Sequence, residues 1–426
     1  MHPNLGMAQQ LQEGAYDEAL ARLYGPQELE TAQKRCRDAI AGFQKAFGSL
    51  PEALFSAPGR TELGGNHTDH QHGRVLAAAI NLDILAAVAP NQSGMIRLQS
   101  QGYPLIVVDL AELEPRPEEE NTSAALIRGI AARFSALGLP FQGKGLDAYV
   151  VSNVPGGSGL SSSAAFEVLI GTILNELFCN GMYTPVEIAQ IGQYAENVYF
   201  GKPCGLMDQT ASSVGGVVAI DFQDPANPVV EQIALNLAAA GYALCILNSG
   251  AGHADLTQEY AAITDECKAI CRYFGKDVLR NVPEEAFFAA IPELRKQAGD
   301  RAVLRAMHFY GENQRAAAQA QALKQGDLKG FLQLVRESGQ SSALYLQNVV
   351  PTGQTLHQEL MLTIALCQRI LKGEGAVRVH GGGFGGTAQA FVPLELLRDF
   401  QTQTELVLGQ GSCHIVSIRP FGGIKL

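Results

Sequence analysis

Between Val154 and Phe166 the chain reads V-P-G-G-S-G-L-S-S-S-A-A-F. Glycine and hydroxyl groups at this density belong neither in a helix interior nor in a central strand. Gly156, Gly157 and Gly159 let backbone N–H groups converge and approach a ligand closely, and Pro155 and Leu160 frame the turn. Ser158, Ser161, Ser162 and Ser163 add hydroxyls that can donate to a phosphate or reach a phosphate-bound Mg²⁺. The run after Ala164 is rich in helix formers, so these groups stand at a helix N-terminus, where the macrodipole favours negative charge. A nucleotide phosphate suits such a loop, and a plainly capped helix start is the alternative. This loop has neither the Walker A ending G-K-[S/T] nor the dinucleotide order G-x-G-x-x-G.

A second polar concentration, T-E-L-G-G-N-H-T-D-H-Q-H-G at 61–73, precedes an apolar run from Val75 to Val88. Its polarity and glycines predict a loop beside a buried element, the usual setting of a site. His67, Asp69, His70 and His72 are close enough to suggest a zinc cluster and hence a hydrolase. The order H-T-D-H-Q-H is not the H-x-H-x-D-H of metallo-β-lactamases, however, and neighbouring side chains on a strand face opposite ways.

The elements that must position these groups follow from periodicity. Alternation over 146–153 makes the serine loop the middle of a strand–loop–helix unit. Helices are predicted over 8–48, 123–137, 161–178, 186–200 and about 255–273, with three more between 299 and 373. Strands are predicted at 53–56, 82–89, 105–109, 146–153, 217–221, 243–247, 376–379, 389–392 and 407–418. The Pro-containing stretch 222–230 divides the chain into 1–222 and 223–426. A length of 426 residues suits two domains. The formal charge of −11 argues against nucleic acid as a partner. No leader pattern or membrane-length apolar run is visible, and the expectation is a cytoplasmic protein. The eight cysteines include no C-x-x-C pair and read as reduced, mostly buried thiols.

Four motifs in order carry a resemblance: A-P-G-R-T-E-L-G-G-N-H-T-D at 57–69, V-P-G-G-S-G-L-S-S-S-A-A at 154–165, P-C-G-L-M-D-Q at 203–209 and G-G-G-F-G-G at 381–386. Together they resemble the galactokinases of the GHMP small-molecule kinase superfamily, which also holds homoserine and mevalonate kinases. The similarity extends over nearly the whole chain, including E-N-Q-R at 312–315. The resemblance implies a two-domain α+β fold with the site in the inter-domain cleft, ATP and Mg²⁺ as cofactors, and a small sugar phosphorylated at its 1-hydroxyl, D-galactose foremost. It places Asp208 at the catalytic position, either as a base or as an electrostatic stabiliser, with Arg60 beside it. It implies Glu196 and Ser162 for Mg²⁺, the loop Pro155–Ser163 for ATP phosphates, and Asn66, His67, Asp69, Gly205 and Tyr260 for the sugar. The glycine loop 381–386 is expected to support the phosphate loop and the substrate side, without catalytic work.

Two departures bear on the sugar. Galactokinases usually read G-E-H-T-D-Y-N-G-G where this chain has Gly65-Asn66-His67-Thr68-Asp69-His70-Gln71-His72-Gly73, so an amide replaces the glutamate expected at the sugar's O6. After Tyr260 the usual arginine pair is absent, with Ala261-Ala262-Ile263-Thr264 in its place. These changes imply weaker galactose binding, or a sugar altered at C6, or at C2 if His70 and His72 reshape the pocket. Another hexose, an N-acetylhexosamine, or a sugar- and ATP-binding sensor without turnover are the alternatives.

Overall fold

The computed structural model describes residues 6–139, 141, 143–156, 159–202, 204–252 and 256–426. Gly157 and Ser158 of the serine loop lie outside the described residues. Among the described residues there are two sheets. The strands of the first are β1 (Ala53–Gly64), β2 (Arg74–Asn91), β3 (Met95–Ser100), β4 (Leu105–Asp109), β5 (Gly145–Ser152), β6 (Val217–Asp221) and β7 (Val229–Ile233). The second sheet comprises β8 (Tyr242–Asn248), β9 (Ala376–Val379), β10 (Thr387–Pro393) and β11 (Cys413–Val416), and β12 (Ile424–Lys425) returns to the first.

The first sheet runs β12-β1-β2-β5-β3-β4, with β6 on β2 and β7 on β6. β3 and β5 are parallel and the other pairs antiparallel. The long β2 pairs with β1 along one edge and with two strands along the other: its first residues pair with β6 (Arg74 opposite Asp221) and its last with β5 (Val88 opposite Ala148). The second sheet is antiparallel, in the order β11-β8-β10-β9. Leu244, Ile246 and Phe391 of the second sheet share one apolar cluster with Phe55, Leu76 and Ile170 of the first unit, so one core runs under both. The helices Ser123–Ala136, Ser162–Phe178 and Pro185–Ala195 bury their apolar residues in that cluster, including Ile127, Ile130, Val168, Ile173, Ile188 and Ile191. The helices Asp17–Tyr24 and Leu29–Phe47 cover Leu54, Leu85 and Val151 on the opposite side of β1, β2 and β5.

The two-domain α+β arrangement expected from the motifs is present. The expected division at 222/223 falls between β6 and β7, which are paired in one sheet. Several expectations change. The helical stretch 8–48 is broken at Gly14 and Gly25, whose φ of 78° and 91° no helix accommodates. The strand predicted at 53–56 runs on to Gly64 with every residue buried, because the polar residues after Ser56 find distant partners. The strand predicted at 407–418 shortens to Cys413–Val416: Val407 and Leu408 end the helix Leu397–Leu408, and Gly409 and Gly411, with φ of 103° and 78°, turn the chain before the strand begins. A helix not among those predicted, Glu284–Gln297, carries Pro292 in its interior. All eight cysteines are free thiols, and seven are buried. No helix among the described residues is long and apolar enough to cross a membrane.

Candidate active site

An arginine in the middle of a buried strand is costly unless its charge is matched. Arg60 of β1 is matched by Asp208, the second residue of the helix Met207–Val214. Arg60 Nε donates to Asp208 Oδ1 and Nη2 to Oδ2, both at 2.6 Å, a planar fork on a carboxylate. Nη1 donates to the Gly159 carbonyl and so ties the pair to the serine loop. The Arg60 side chain is 8% exposed, whereas that of Asp208 is 31% exposed, so the carboxylate stays in reach of solvent. Burial pushes the Asp208 carboxyl up, but the charge and hydrogen bonds of Arg60 and a hydrogen bond from Ser161 outweigh it and hold the group below the ordinary carboxylate range. Asp208 is therefore ionised at neutral pH.

The serine loop is locked to β1. The Arg60 N–H donates to the Leu160 carbonyl at 3.0 Å. Gly59 must be glycine here, since a Cβ would stand 2.7 Å from that same oxygen. Ser161 is left-handed (φ 56°), a strained conformation for serine, and does not cap the following helix; its hydroxyl donates to Asp208 Oδ2 instead. The first N–H groups of the helix Ser162–Phe178 thus remain available to an anion. The hydroxyl-bearing residues Ser161, Ser162 and Ser163 are all partly exposed at that end.

Glu196 opens a π-helical turn, Glu196–Phe200, at the end of the helix Pro185–Ala195, and is 3% exposed. Its Oε2 accepts from Gln209 Nε2 at 2.9 Å, and the same nitrogen donates to Glu167 Oε2 at 2.9 Å. Burial, and then the charge of Glu196, push the Glu167 carboxyl well above its ordinary range. Glu167 Oε1 and Gln209 Oε1 are buried oxygens without a hydrogen-bond partner. Oxygen donors and two unfilled acceptors fit a small hard cation that brings its own waters. No cluster of three or more acidic, histidine or cysteine residues among the described residues forms a complete cage. The set therefore suits Mg²⁺ arriving on phosphates rather than a resident zinc. Glu196 and Ser162 are the residues that could hold it.

On the opposite side of Asp208, Gly205 lies against Asp69: a Cβ on Gly205 would fall 2.1 Å from Asp69 Oδ2. Asp69 keeps a partly exposed carboxylate, with His70 Nε2 3.9 Å from its Oδ1. The other residues expected at a substrate behave differently. Asn66 is fully buried. Its Nδ2 donates to Gly381 O at 2.7 Å and Glu62 Oε1 at 3.1 Å, and its Oδ1 accepts from Asn348 Nδ2 at 2.8 Å and Ser342 Oγ at 3.3 Å. Asn66 was expected to meet a sugar hydroxyl; here both polar atoms of its amide are engaged by the protein itself. His67 Nε2 lies 2.8 Å from the Gly382 carbonyl, and Tyr260 donates its hydroxyl to Gly383 O at 3.1 Å. Three successive carbonyls of the loop Gly381–Gly386 are thus fastened by Asn66, His67 and Tyr260. The four histidine and aspartate groups of 67–72 do not converge, which removes the zinc reading.

Residues 41–90 match the galactokinase galactose-binding signature, and residues 125–216 match the GHMP kinase N-terminal domain. The fold is similar to that of the galactokinase of Lactococcus lactis, solved with galactose, at 26% identity and a TM-score of 0.78, covering 92% of this chain and 100% of that one. The chain is a galactokinase-like member of the GHMP kinases. More distant structures share the fold: an L. major mevalonate kinase solved with R-mevalonate (18% identity, TM-score 0.59, 88% of this chain and 99% of that one) and a D-glycero-D-manno-heptose 1-phosphate kinase of Bacteroides thetaiotaomicron (16%, 0.58, 88% and 99%).

In this GHMP kinase Arg60, Asp208, Gly159 and Ser161, all singled out from the sequence, are joined by hydrogen bonds, and Gln209, next to Asp208, reaches Glu196. The sequence motifs did not single out Glu167, Gln209, Asn348 or His380. One signal was present for Glu167, a lone charge in the apolar run A-A-F-E-V-L-I. His380 bridges Thr61 Oγ1 and Thr387 Oγ1 at 3.0 Å each, and nothing in its local sequence announces that role. The assembled kinase site offers an ionised acceptor, an open helix N-terminus and a carboxylate for a cation within one wall of the cleft.

Proposed function

We propose that this sugar kinase transfers the γ-phosphoryl group of ATP to the 1-hydroxyl of an aldohexose, D-galactose first among them. The observation that carries this reading is the Arg60–Asp208 fork, held at the mouth of the serine loop with one carboxylate face open. Phosphoryl transfer demands positioning and charge neutralisation more than covalent help. The sugar hydroxyl donates to Asp208, its oxygen forms the new bond to Pγ, and the bond from Pγ to the β,γ-bridging oxygen breaks to leave ADP. With its proton affinity depressed, Asp208 serves as an orienting acceptor that takes the hydroxyl proton as the O–P bond forms. The helix N-terminus at Ser162 and the N–H groups of the loop receive the phosphates. Glu196 and Ser162 would hold Mg²⁺, which when bound would supply neutralisation of phosphate charge. Asp69 accepts from adjacent ring hydroxyls, and Gly205 lets the sugar approach because it carries no side chain.

Because Asn66 is occupied by the protein, its replacement of glutamate does not by itself select a sugar; His70, 44% exposed, is the departure that stands beside Asp69. The test is a panel of galactose, 6-deoxygalactose, galacturonic acid and N-acetylgalactosamine with Mg-ATP, the product identified by NMR. Galactose 1-phosphate as the main product is expected. Binding of galactose and ATP with no ADP formed would mark a sensor, and preference for another sugar would move the substrate assignment.

A further inference from the structure

A catalytic wall that carries Asp208, Glu196, Glu167 and Asp69 is a poor place for a nucleotide polyphosphate unless a cation meets it. Arg60 cannot be that cation, because Nε, Nη1 and Nη2 are all spent on Asp208 and the Gly159 carbonyl. Arg378 is fully buried and paired with Glu62. Lys202 remains. It sits in the loop joining the Glu196 turn to the Asp208 helix, with its backbone N–H fixed on the Glu196 carbonyl at 3.2 Å. Its Nζ lies 3.7 Å from Glu196 Oε1, too far for a hydrogen bond, and its side chain is 65% exposed. Among the described residues that ammonium group has no hydrogen-bond partner. Its charge nevertheless reaches inward: it adds to the lowering of the Asp208 carboxyl and partly opposes the burial that raises Glu167.

We propose that Lys202 is a phosphate-binding residue of this kinase: it rests beside Glu196 in the free enzyme and moves onto the nucleotide phosphates when a divalent cation takes that carboxylate. This rests on the kinase reading and on Glu196 as the metal carboxylate. A lysine on a flexible stem suits the role, since it carries a point charge with three donors and loses little by leaving a loose ion pair. The exchange makes two opposite predictions for one substitution. Lys202→Met removes a ligand for phosphate and, at the same time, a competitor for the metal site.

The test uses the full chain. ADP affinity in the presence of Mg²⁺ is measured by calorimetry, Mn²⁺ affinity without nucleotide by electron paramagnetic resonance, and KM separately for ATP and sugar. For Lys202→Met, ADP is expected to bind about tenfold more weakly, as for the loss of one charge-assisted hydrogen bond, while free Mn²⁺ binds a few-fold more tightly. KM should rise for ATP and not for the sugar, and Lys202→Arg should recover most of the ADP affinity. A solvated salt bridge with no role in binding would move neither ligand. ADP affinity within twofold of wild type in Lys202→Met overturns the phosphate role, and unchanged Mn²⁺ affinity overturns the exchange at Glu196. A wild-type chain that does not bind ADP would overturn the kinase reading itself. Loss of Mn²⁺ binding in Glu196→Gln supports the metal assignment on which the exchange depends.

Discussion

At one end of the cleft an arginine and an aspartate grip each other through two contacts of 2.6 Å, and the aspartate still shows 31% of its side chain to solvent. Around the segment that begins at Asn66, neutral donors grip backbone: Asn66, His67 and Tyr260 hold the carbonyls of Gly381, Gly382 and Gly383. Both regions are rich in polar residues and both carry family motifs. They differ in what the hydrogen bonds leave over. The ion pair orients a carboxylate whose remaining capacity points outward, whereas the amide of Asn66 is consumed and turned into a rivet between β1 and the glycine loop. Side chains able to recognise a polyol are equally able to recognise peptide carbonyls, so residue type alone does not separate the two uses.

The largest effect expected from this contrast is in Asp208→Asn. Turnover should fall by at least about 10²-fold, with sugar and ATP binding retained in calorimetry. Near-normal kcat would remove Asp208 from the chemistry. The pH profile sharpens the point. Because the folded value of Asp208 lies below the ordinary range, its charge is present above that value and is lost only as pH falls through it. No acid limb from this group should appear above about pH 4, the ordinary aspartate value. Arg60→Met leaves only Ser161 and Lys202 to oppose burial and should move the limb upward.

Next comes Asn66→Ala, which should act on stability before it acts on sugar. Several buried partners lose their contact at once, and at about 1–3 kcal/mol for each unsatisfied group a loss of roughly 3 kcal/mol in urea unfolding is expected. Asn66→Glu would add a carboxylate beside Glu62 and Glu312, and should likewise destabilise rather than improve galactose binding. A variant that raises KM for the sugar tenfold with unchanged unfolding would return Asn66 to the pocket and break the contrast.

A smaller effect is expected from acid. Burial drives His67 from the usual 6.5 down to about 4. Burial also holds His308 and His380 below their ordinary value. With folded values depressed, the unfolded chain takes up protons first. Stability is therefore complete above about pH 6.5 and declines as pH falls from there toward the folded values. Melting temperatures measured between pH 7.5 and 5 should fall, and His308→Gln should flatten the slope. Smallest of all is Tyr260→Phe: one hydrogen bond to Gly383 is lost, about 1 kcal/mol, with KM for the sugar unchanged. A raised sugar KM at constant melting temperature would make Tyr260 a substrate contact.

Much of the fold was legible because local pattern and burial agree in most elements. The strands Leu105–Asp109, Val217–Asp221 and Ala376–Val379 stand where alternation put them, and the serine loop leads into the helix Ser162–Phe178 as its composition required. Two of the failures share one cause. β1 reads as ending at Ser56 because Arg60 and Glu62 look unburiable, until Asp208 and Arg378 meet them from 148 and 316 residues away. The helix Met207–Val214 went unseen because it is 8 residues long and bears a charge kept for Arg60.

By itself the sequence determined the order of the motifs, the family they belong to and the set of groups able to serve phosphate, proton and cation. Those follow from residue type and short spacing, which a glycine-rich turn or a helix start expresses within a few residues. Only the tertiary structure decided which of those groups stay free. Asn66 is closed off by Asn348, 282 residues on, and by Gly381, 315 residues on, while Asp208 is opened and charged by Arg60. A donor or acceptor is available to a substrate only where the fold leaves it unpaired, and such pairing is set by contacts distant in the chain.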